Sequence, residues 1–400
     1  MADGGYPAPV LPRLSLAERE RRWGKLRALM RRDGIDAILA LNNSSSWDQG
    51  NGNGRYLSSI GGNCASVSVV FPLEGEVAAI TGPVPSPDFW AQSQDWVQDI
   101  RTAFFNPTPM VIDRLGELAL TGARIGIAGL DGVAREPDGL VSQGAMRQLR
   151  EALPGAELIN ATMLMYEARV VKGEEEIAML RHAVGLVEGA LDVLAREARP
   201  GVQETQVYAR MLGHLIEQGS EPSSLLLFTA GNPLPPFVGT LPSQRPLETG
   251  DAVLVEVDGK WCGYLGHGAS THWVGGADAE ARKMAELQYR LTAECWAAMK
   301  PGRRLAELVD LCERFGADTG YACSPILHSR GLGLDAPVLV NRPRDDWTAN
   351  WVIEEGSVFV VKPTLATRDG RRKVMWGDSV VVRADGAERL GSRSALAGIA

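Results

Sequence analysis

His267 stands between two glycines, in Gly266-His267-Gly268. An imidazole with an ordinary pKa of ~6.5 is the natural proton shuttle, and such small neighbours leave room for a ligand beside it. His328 precedes Arg330 by two residues, a spacing that puts both side chains on one face of an extended segment. Glu256 precedes Asp258 by the same interval, and Lys362 sits between Val360-Val361 and Pro363. Two cations, a carboxylate and an imidazole suit an anionic or polar substrate. Arg330 offers a fork that clamps a carboxylate, and Lys362 offers a point charge. With its pKa depressed by burial and by Arg330, Lys362 also suits a base.

Each of these residues has a structural reading beside the chemical one. His267 could be a core histidine, Arg330 a salt-bridge residue, and Trp376, beside Gly377-Asp378, simply core instead of the apolar wall of a pocket. His272 stays open in the same way, while His182 and His214 read as solvated or capping residues on helices. Cys262 adjoins Gly263 but lacks the His-paired local motif of a thiol nucleophile.

The chain has 400 residues, enough for two domains that each bury a core. Apolar residues make up 45% and charged residues 22%, the balance of a soluble globular protein. The net charge is −8 with both signs interspersed, and without a basic block nucleic acid is not an expected partner. No run approaches the ~18–20 apolar residues that cross a bilayer, so no membrane partner is expected either. The stretch Tyr6–Leu14, broken by Pro7, Pro9 and Pro12, does not read as a signal peptide. The five cysteines, Cys64, Cys262, Cys295, Cys312 and Cys323, show no CxxC spacing, which argues against a zinc knuckle or a disulfide framework. A cytoplasmic location is the simplest expectation.

The elements that must position these residues fall into two textures. Ser15 caps a predicted helix over 16–32, followed by strands at 36–41, 65–71, 76–81 and 124–129 and a helix over 142–153. Alternating strands and helices predict an α/β domain over 1–165. From 166 to 400 a second domain begins with a long amphipathic helix over 173–199, ended by Pro200-Gly201, and a helix over 204–218. Strands at 224–229, 252–257 and around 269–274 follow. The order then recurs, with helices over 279–299 and 305–315 separated by Pro301-Gly302, and strands at 358–361 and 379–383. Helix, Pro-Gly, helix, strands, stated twice, suggests an internal duplication.

Several segments in this order resemble the creatinase/prolidase family, the Xaa-Pro peptidase and methionine-aminopeptidase-like pita-bread proteins. Arg169-Val170-Val171-Lys172 with Glu176-Ile177 and Leu180-Arg181 resembles the opening of its catalytic domain. Pro242–Asp251 resembles the family's approach to the first metal strand, and Gly263-Tyr264 the pair after it. Gly331-Leu332-Gly333-Leu334, Ile353–Phe359 and Asp385–Leu390 resemble its later turns and strand entries. The N-terminal half resembles the creatinase-type domain through Arg55-Tyr56-Leu57 and the strands after it. The resemblance implies an α/β (α+β) fold, with a creatinase-type α/β domain followed by a pseudo-symmetric pita-bread domain. It also implies a homodimer in which one subunit's N-terminal domain edges the partner's active site, so that the 42–54 loop either borders a pocket or is merely solvated.

Family peptidases hold two divalent ions with two Asp, one His and two Glu. By the resemblance those positions fall here on Glu256, His267, Arg330, Lys362 and Gly377, with Asp378 next in the chain. Glu256 and His267 could bind an ion, but Arg330 and Lys362 set two positive charges beside it, costing several kcal/mol at ~4 Å and an effective dielectric of about 20. A register slip making Asp258 the first ligand would not restore either Glu. The creatinase histidine falls near Gly239, so creatine cleavage is not expected. On a strand the fold normally buries, Lys362 needs Glu256 or Asp378 as its ion-pair partner.

The expectation is a metal-independent enzyme, without cofactor, acting on a small amino-acid-like or amide substrate by C–N hydrolysis or elimination. Its catalytic groups would be His267, Lys362, Glu256 and His328, and its substrate-binding groups Arg330, Asp378, Tyr264 and Trp376. The alternatives are a non-catalytic pseudo-peptidase that binds a partner and a metallopeptidase with atypical ligands.

Overall fold

A computed structural model describes residues 11–41, 52–62, 65–132, 139–222, 225–235, 241–333, 335–341 and 346–394. Most of the 42–54 loop, Cys64, Gly239 and Leu334 lie outside these residues. The chain forms two compact units, one of Met1–Arg169 with Leu332–Leu334, the other of Val170–Gly331 with Asp335–Ala400.

The first unit is built on a six-stranded mixed sheet. In spatial order its strands are Asp99–Thr102, Ala78–Thr81, Val67–Pro72, Ala37–Ala40, Arg124–Ala128 and Glu157–Asn160. The alternating residues Leu39, Val70, Ile80, Ile125 and Ile127 meet Val111, Leu115, Met146 and Leu149 from helices Thr108–Glu117 and Gln143–Ala152. Helix Leu16–Asp33 begins where the Ser15 hydroxyl accepts the Glu18 amide at 3.1 Å and ends at Gly34, whose positive φ of 64° suits a glycine. The two edge strands, Asp99–Thr102 and Glu157–Asn160, carry little apolar alternation, so the sequence did not announce them. Gly52–Gly54 belong to a helix, Gly52–Ser58, that the loop expectation did not foresee.

The second unit carries an eight-stranded antiparallel sheet and, beside it, a three-stranded one of Ala322–Ser324, Thr364–Ala366 and Lys373–Met375. The larger sheet runs Val338–Val340, Ile326–Ser329, Val358–Val361, Gly377–Arg383, Tyr264–Trp273, Ala252–Trp261 and Leu226–Gly231, with Gly386–Arg389 paired to Gly377–Arg383. Period-two alternation sorts each strand onto two faces. Val253, Val255 and Val257 pack with helices Glu174–Glu197 and Glu204–Glu217. Leu327, Phe359, Val361, Val380 and Val382 pack with helices Ala279–Ala298 and Ala306–Thr319. The two helix pairs cover their halves of the sheet in the order the internal repeat predicts.

The strands at 252–261 and 264–273 are longer than the sequence patterns indicated and form one hairpin. Its two-residue turn is Cys262-Gly263, with φ of 49° and 82°, the left-handed pair that a type I′ hairpin turn requires. This gives Cys262 a conformational role that needs no nucleophilic chemistry.

The glycines flanking His267 also acquire a reason. A Cβ on Gly266 would collide with the Ala183–Val184 backbone of the long helix, and one on Gly268 would lie 2.8 Å from Val187 Cγ1. The helix therefore presses directly on this strand, and His267, of opposite parity, faces away from it. Gly266→Ala should cost about 1–3 kcal/mol, because backbone cannot yield as a side-chain tip can. Urea unfolding of the variant measures this; a wild-type midpoint would mean that helix and strand are not in contact there.

Candidate functional site

On the sheet face away from the helices, five charged or polar side chains meet. Glu256 and Asp258 come from one strand, with Asp258 directly opposite His267 in the register. Arg330 follows strand Ile326–Ser329, and Lys362 follows strand Val358–Val361. His267, Arg330 and Lys362 are fully buried, Asp258 almost so, and Glu256 is 8% exposed, the most open of the five.

The contacts form a chain. Arg330 Nη2 lies 3.2 Å from Asp258 Oδ1, which lies 2.5 Å from His267 Nδ1. On the other side of the ring, His267 Nε2 is 2.9 Å from Lys362 Nζ, which also donates to Glu256 Oε2. The tautomer follows from the partners. An ionised Asp258 can only accept, so Nδ1 carries the proton and donates to it; Nε2 then accepts from the Lys362 ammonium. Arg330 Nη2, 2.9 Å from Nδ1, is a second donor converging on Asp258. Ser379 fixes the strand carrying the ring, accepting the His267 amide at 3.1 Å and donating to its carbonyl at 3.0 Å.

Two guanidinium/ammonium charges and two carboxylates sum to zero around a neutral imidazole. Burial, then Lys362 and Arg330, push the His267 pKa down to about 3, outweighing Asp258. Burial lowers Lys362 to about 8 against the opposing pull of Glu256, leaving it protonated at neutral pH. Burial alone would raise the Glu256 carboxyl, but the Lys362 charge and its neighbours hold it below the ordinary range.

Of the residues singled out in the sequence, Glu256, His267, Arg330 and Lys362 are brought together. His328 joins their rim, its ring centroid 5.8 Å from that of His267. Three are placed elsewhere. Asp378 pairs opposite Gly268 and so faces the long helix, where its carboxylate meets Arg389 at 2.9 Å; burial raises its pKa, opposed by Arg393 and Arg389. Tyr264 donates to Glu176 of the long helix at 3.2 Å. Trp376 packs edge-on against Trp296 and Tyr289, with Arg393 over its ring at 4.6 Å. Asp258, weighed in the sequence only as a first metal ligand under a register slip, completes the chain; its signal was the two-residue interval from Glu256, which on a strand means a shared face.

The fold agrees with comparisons to known proteins. The pattern of metallopeptidase family M24 matches residues 178–384, just over half of the chain. The chain belongs to metallopeptidase family M24. Methionine aminopeptidase 1A of Arabidopsis thaliana is 24% identical over 268 residues, 60% of this chain and 66% of the relative. The peptidase YqhT of Bacillus subtilis is 25% identical over 342 residues, 85% of this chain and 89% of the relative. The X-Pro aminopeptidase of Thermotoga maritima superposes with a TM-score of 0.77 at 18% identity, over 93% of this chain and 98% of that one. The Xaa-Pro dipeptidase of Bacillus anthracis gives 0.76 at 21%, over 94% and 98%. The creatinase/prolidase-type fold expected from the sequence is the one observed.

The family implies metal ions, and the donors present do not fit them. Glu256, His267 and His328 offer ligand atoms within 4.8 Å of one another. Lys362 Nζ, however, contacts both Glu256 and His267 Nε2, and Arg330 holds Asp258. A dication would have to sit against two fixed positive charges. At Gly377 the neighbouring strand approaches so closely that a Cβ would collide with Cα and Cβ of Lys362 and with the Val361 carbonyl.

Removing Lys362 alone should strand a buried carboxylate. Lys362→Met should cost about 3–5 kcal/mol in denaturant unfolding, and adding Glu256→Gln should recover most of it. Additive losses would refute the pairing. The neutral His267 predicts a second observable. As pH falls from ~6.5 toward 3 the unfolded chain takes up this proton first, so the group withdraws stability throughout that window. The His267 ring resonances should show no midpoint near 6.5; one there in the NMR spectrum would show that Lys362 and Arg330 do not face it.

Proposed function

We propose that this chain is a metal-independent member of the M24 fold that hydrolyses a C–N bond in a small amino-acid-like or amide substrate. The observation that carries this reading is the Glu256–Lys362–His267 contact, which supplies acid and base where the family's donor set would serve an ion. A general acid works best with a pKa near the operating pH, and Lys362 at about 8 meets that condition. Glu256, the most open of the group, meets the substrate.

In the proposed step a water oxygen bonds to the substrate carbonyl carbon while Glu256 accepts the water proton. The C–N bond then breaks as Lys362 gives a proton to the leaving nitrogen, and the proton held by Glu256 returns to Lys362. His267, fixed by Asp258, keeps Nε2 aimed at the ammonium and so orients it. Elimination would use the same pair, with Glu256 taking a carbon-bound proton.

A second reading rests on a different feature of the same contacts. Both cations are internally paired, Arg330 with Asp258 and Lys362 with Glu256, as in a pseudo-peptidase that binds without turnover. The metallopeptidase reading draws on the named relatives, among them the Xaa-Pro dipeptidase of Pyrococcus furiosus, 22% identical over 63% of this chain and 72% of that one. It requires Lys362 to leave Glu256 and His267.

The test is turnover of a panel of dipeptides, methionyl peptides and amino-acid amides by exhaustively chelated protein. Activity should survive EDTA, and kcat should fall above pH about 8 as Lys362 loses its proton. Lys362→Met and Glu256→Gln should each lower kcat by roughly a hundredfold or more. Activity lost to EDTA and restored by manganese, iron or zinc would establish the metallopeptidase reading instead. Ligand binding with no turnover across the panel would favour the binding protein.

A further inference from the structure

The sheet of the first unit ends in an open edge. Strand Asp99–Thr102 pairs in parallel with Ala78–Thr81, and among the described residues no other strand takes its outer side. The Thr81 hydroxyl donates to the Arg101 carbonyl at 3.3 Å, and the Ala103 amide donates to the Thr81 carbonyl at 2.8 Å. Odd-numbered residues therefore turn their backbone inward, and alternation turns that of Ile100 and Thr102 outward. The Ile100 amide bends back to the Gln98 carbonyl at 3.1 Å, within its own segment. Such an edge is a template for a further strand unless its side chains repel one.

Exposed apolar side chains flank this edge at both ends. Just past the strand come Phe104, 73% exposed, and Phe105, 98% exposed. Phe105 holds a φ of 56°, a left-handed conformation that is costly for an aromatic residue. Strain and full exposure at one position point to a surface held for contact. Just before the strand, the Trp96 indole donates to the carbonyls of Leu14 at 3.1 Å and Ser15 at 3.2 Å, and Arg13 pairs with Asp95 at 3.2 Å. These contacts lay a segment bearing the exposed Leu11 and Leu16 beside the start of the strand.

Between the two ends the charges are self-complementary. Asp99 and Arg101 lie two residues apart and share a face. In an antiparallel pair with Ile100 opposite its own copy, Asp99 of each chain stands opposite Arg101 of the other, and positions 104 and 105 pass positions 96 and 95. A register centred on Arg101 would instead set like charges against each other. Within one chain Asp99, Arg101, Arg114 and Glu117 form a neutral network, so two copies meet without net repulsion. The two phenylalanines offer roughly 300 Å² of aromatic surface. The leucines and the strand itself supply the rest of the ~800 Å² per partner of a standard interface.

We propose that this edge is an interaction surface whose partner is a second copy of the chain. The two Asp99–Thr102 strands pair antiparallel about a twofold axis, and Phe104 and Phe105 of each copy cover Leu11 and Leu16 of the other. The contact joins first unit to first unit, whereas the family resemblance implies one between a first unit and the partner's active site. It stands whether or not the proposed acid–base chemistry occurs.

The experiment is sedimentation velocity of the full chain from about 1 to 100 μM, where wild type should dimerise reversibly. Asn adopts positive φ readily, so Phe105→Asn keeps the loop and removes the ring; it should weaken the dimer at least about tenfold. Asp99→Arg and Arg101→Asp should each be monomeric alone where wild type dimerises, and an equimolar mixture should dimerise, because opposite charges then face each other. A wild type that stays monomeric to about 100 μM would overturn the proposal. So would a dimer of undiminished affinity in Phe105→Asn, or a mixture that associates no better than its components. Should either charge variant fail to fold, the wild-type concentration dependence and the fully exposed Phe105→Asn variant decide the question.

Discussion

A buried positive charge is tolerable only when anions stand within contact, and this site buries two. Lys362 and Arg330 are wholly enclosed, and each exists as a cation because a carboxylate of the 252–261 strand meets it. His267 sits between the two pairs and is forced neutral by them. Charge alternates along the chain from Arg330 through Asp258, the imidazole and Lys362 to Glu256. No member can be removed without leaving another uncompensated, so the group behaves as one unit.

The sheet is what makes this arrangement possible. Alternation along four strands delivers valines and Phe359 to the helices on one face and the charged residues to the other. Close approach of the long helix at Gly266 and Gly268 fixes the strand that carries His267, and Ser379 ties that strand to its neighbour. Gly377 lets its strand approach the backbone at Val361-Lys362.

Within family M24 the arrangement is an exchange of one kind of positive charge for another. A divalent ion neutralises its carboxylates by coordination; here covalently attached ammonium and guanidinium groups do so. With Lys362 lowered to about 8, the charge of the site is sensitive to protons close to physiological pH.

The fold was legible because its signals are local. Helix caps, Pro-Gly stops and apolar periodicity placed the long helices nearly to the residue, and short segments in a fixed order placed the family. The edge strands were not, since they lack alternation and exist through pairing alone. The types of Glu256, His267, Arg330 and Lys362, and hence their capacity for proton transfer, were determined by the sequence. Which of them touch was decided only by tertiary structure. Asp378 adjoins Gly377 in the chain, yet the parity of one residue turned it to the helix face and toward Arg389, while Asp258 on another strand took the place beside His267. A side chain's chemistry belongs to its residue, but its partners are set by strand register, which arises from contacts distant in sequence.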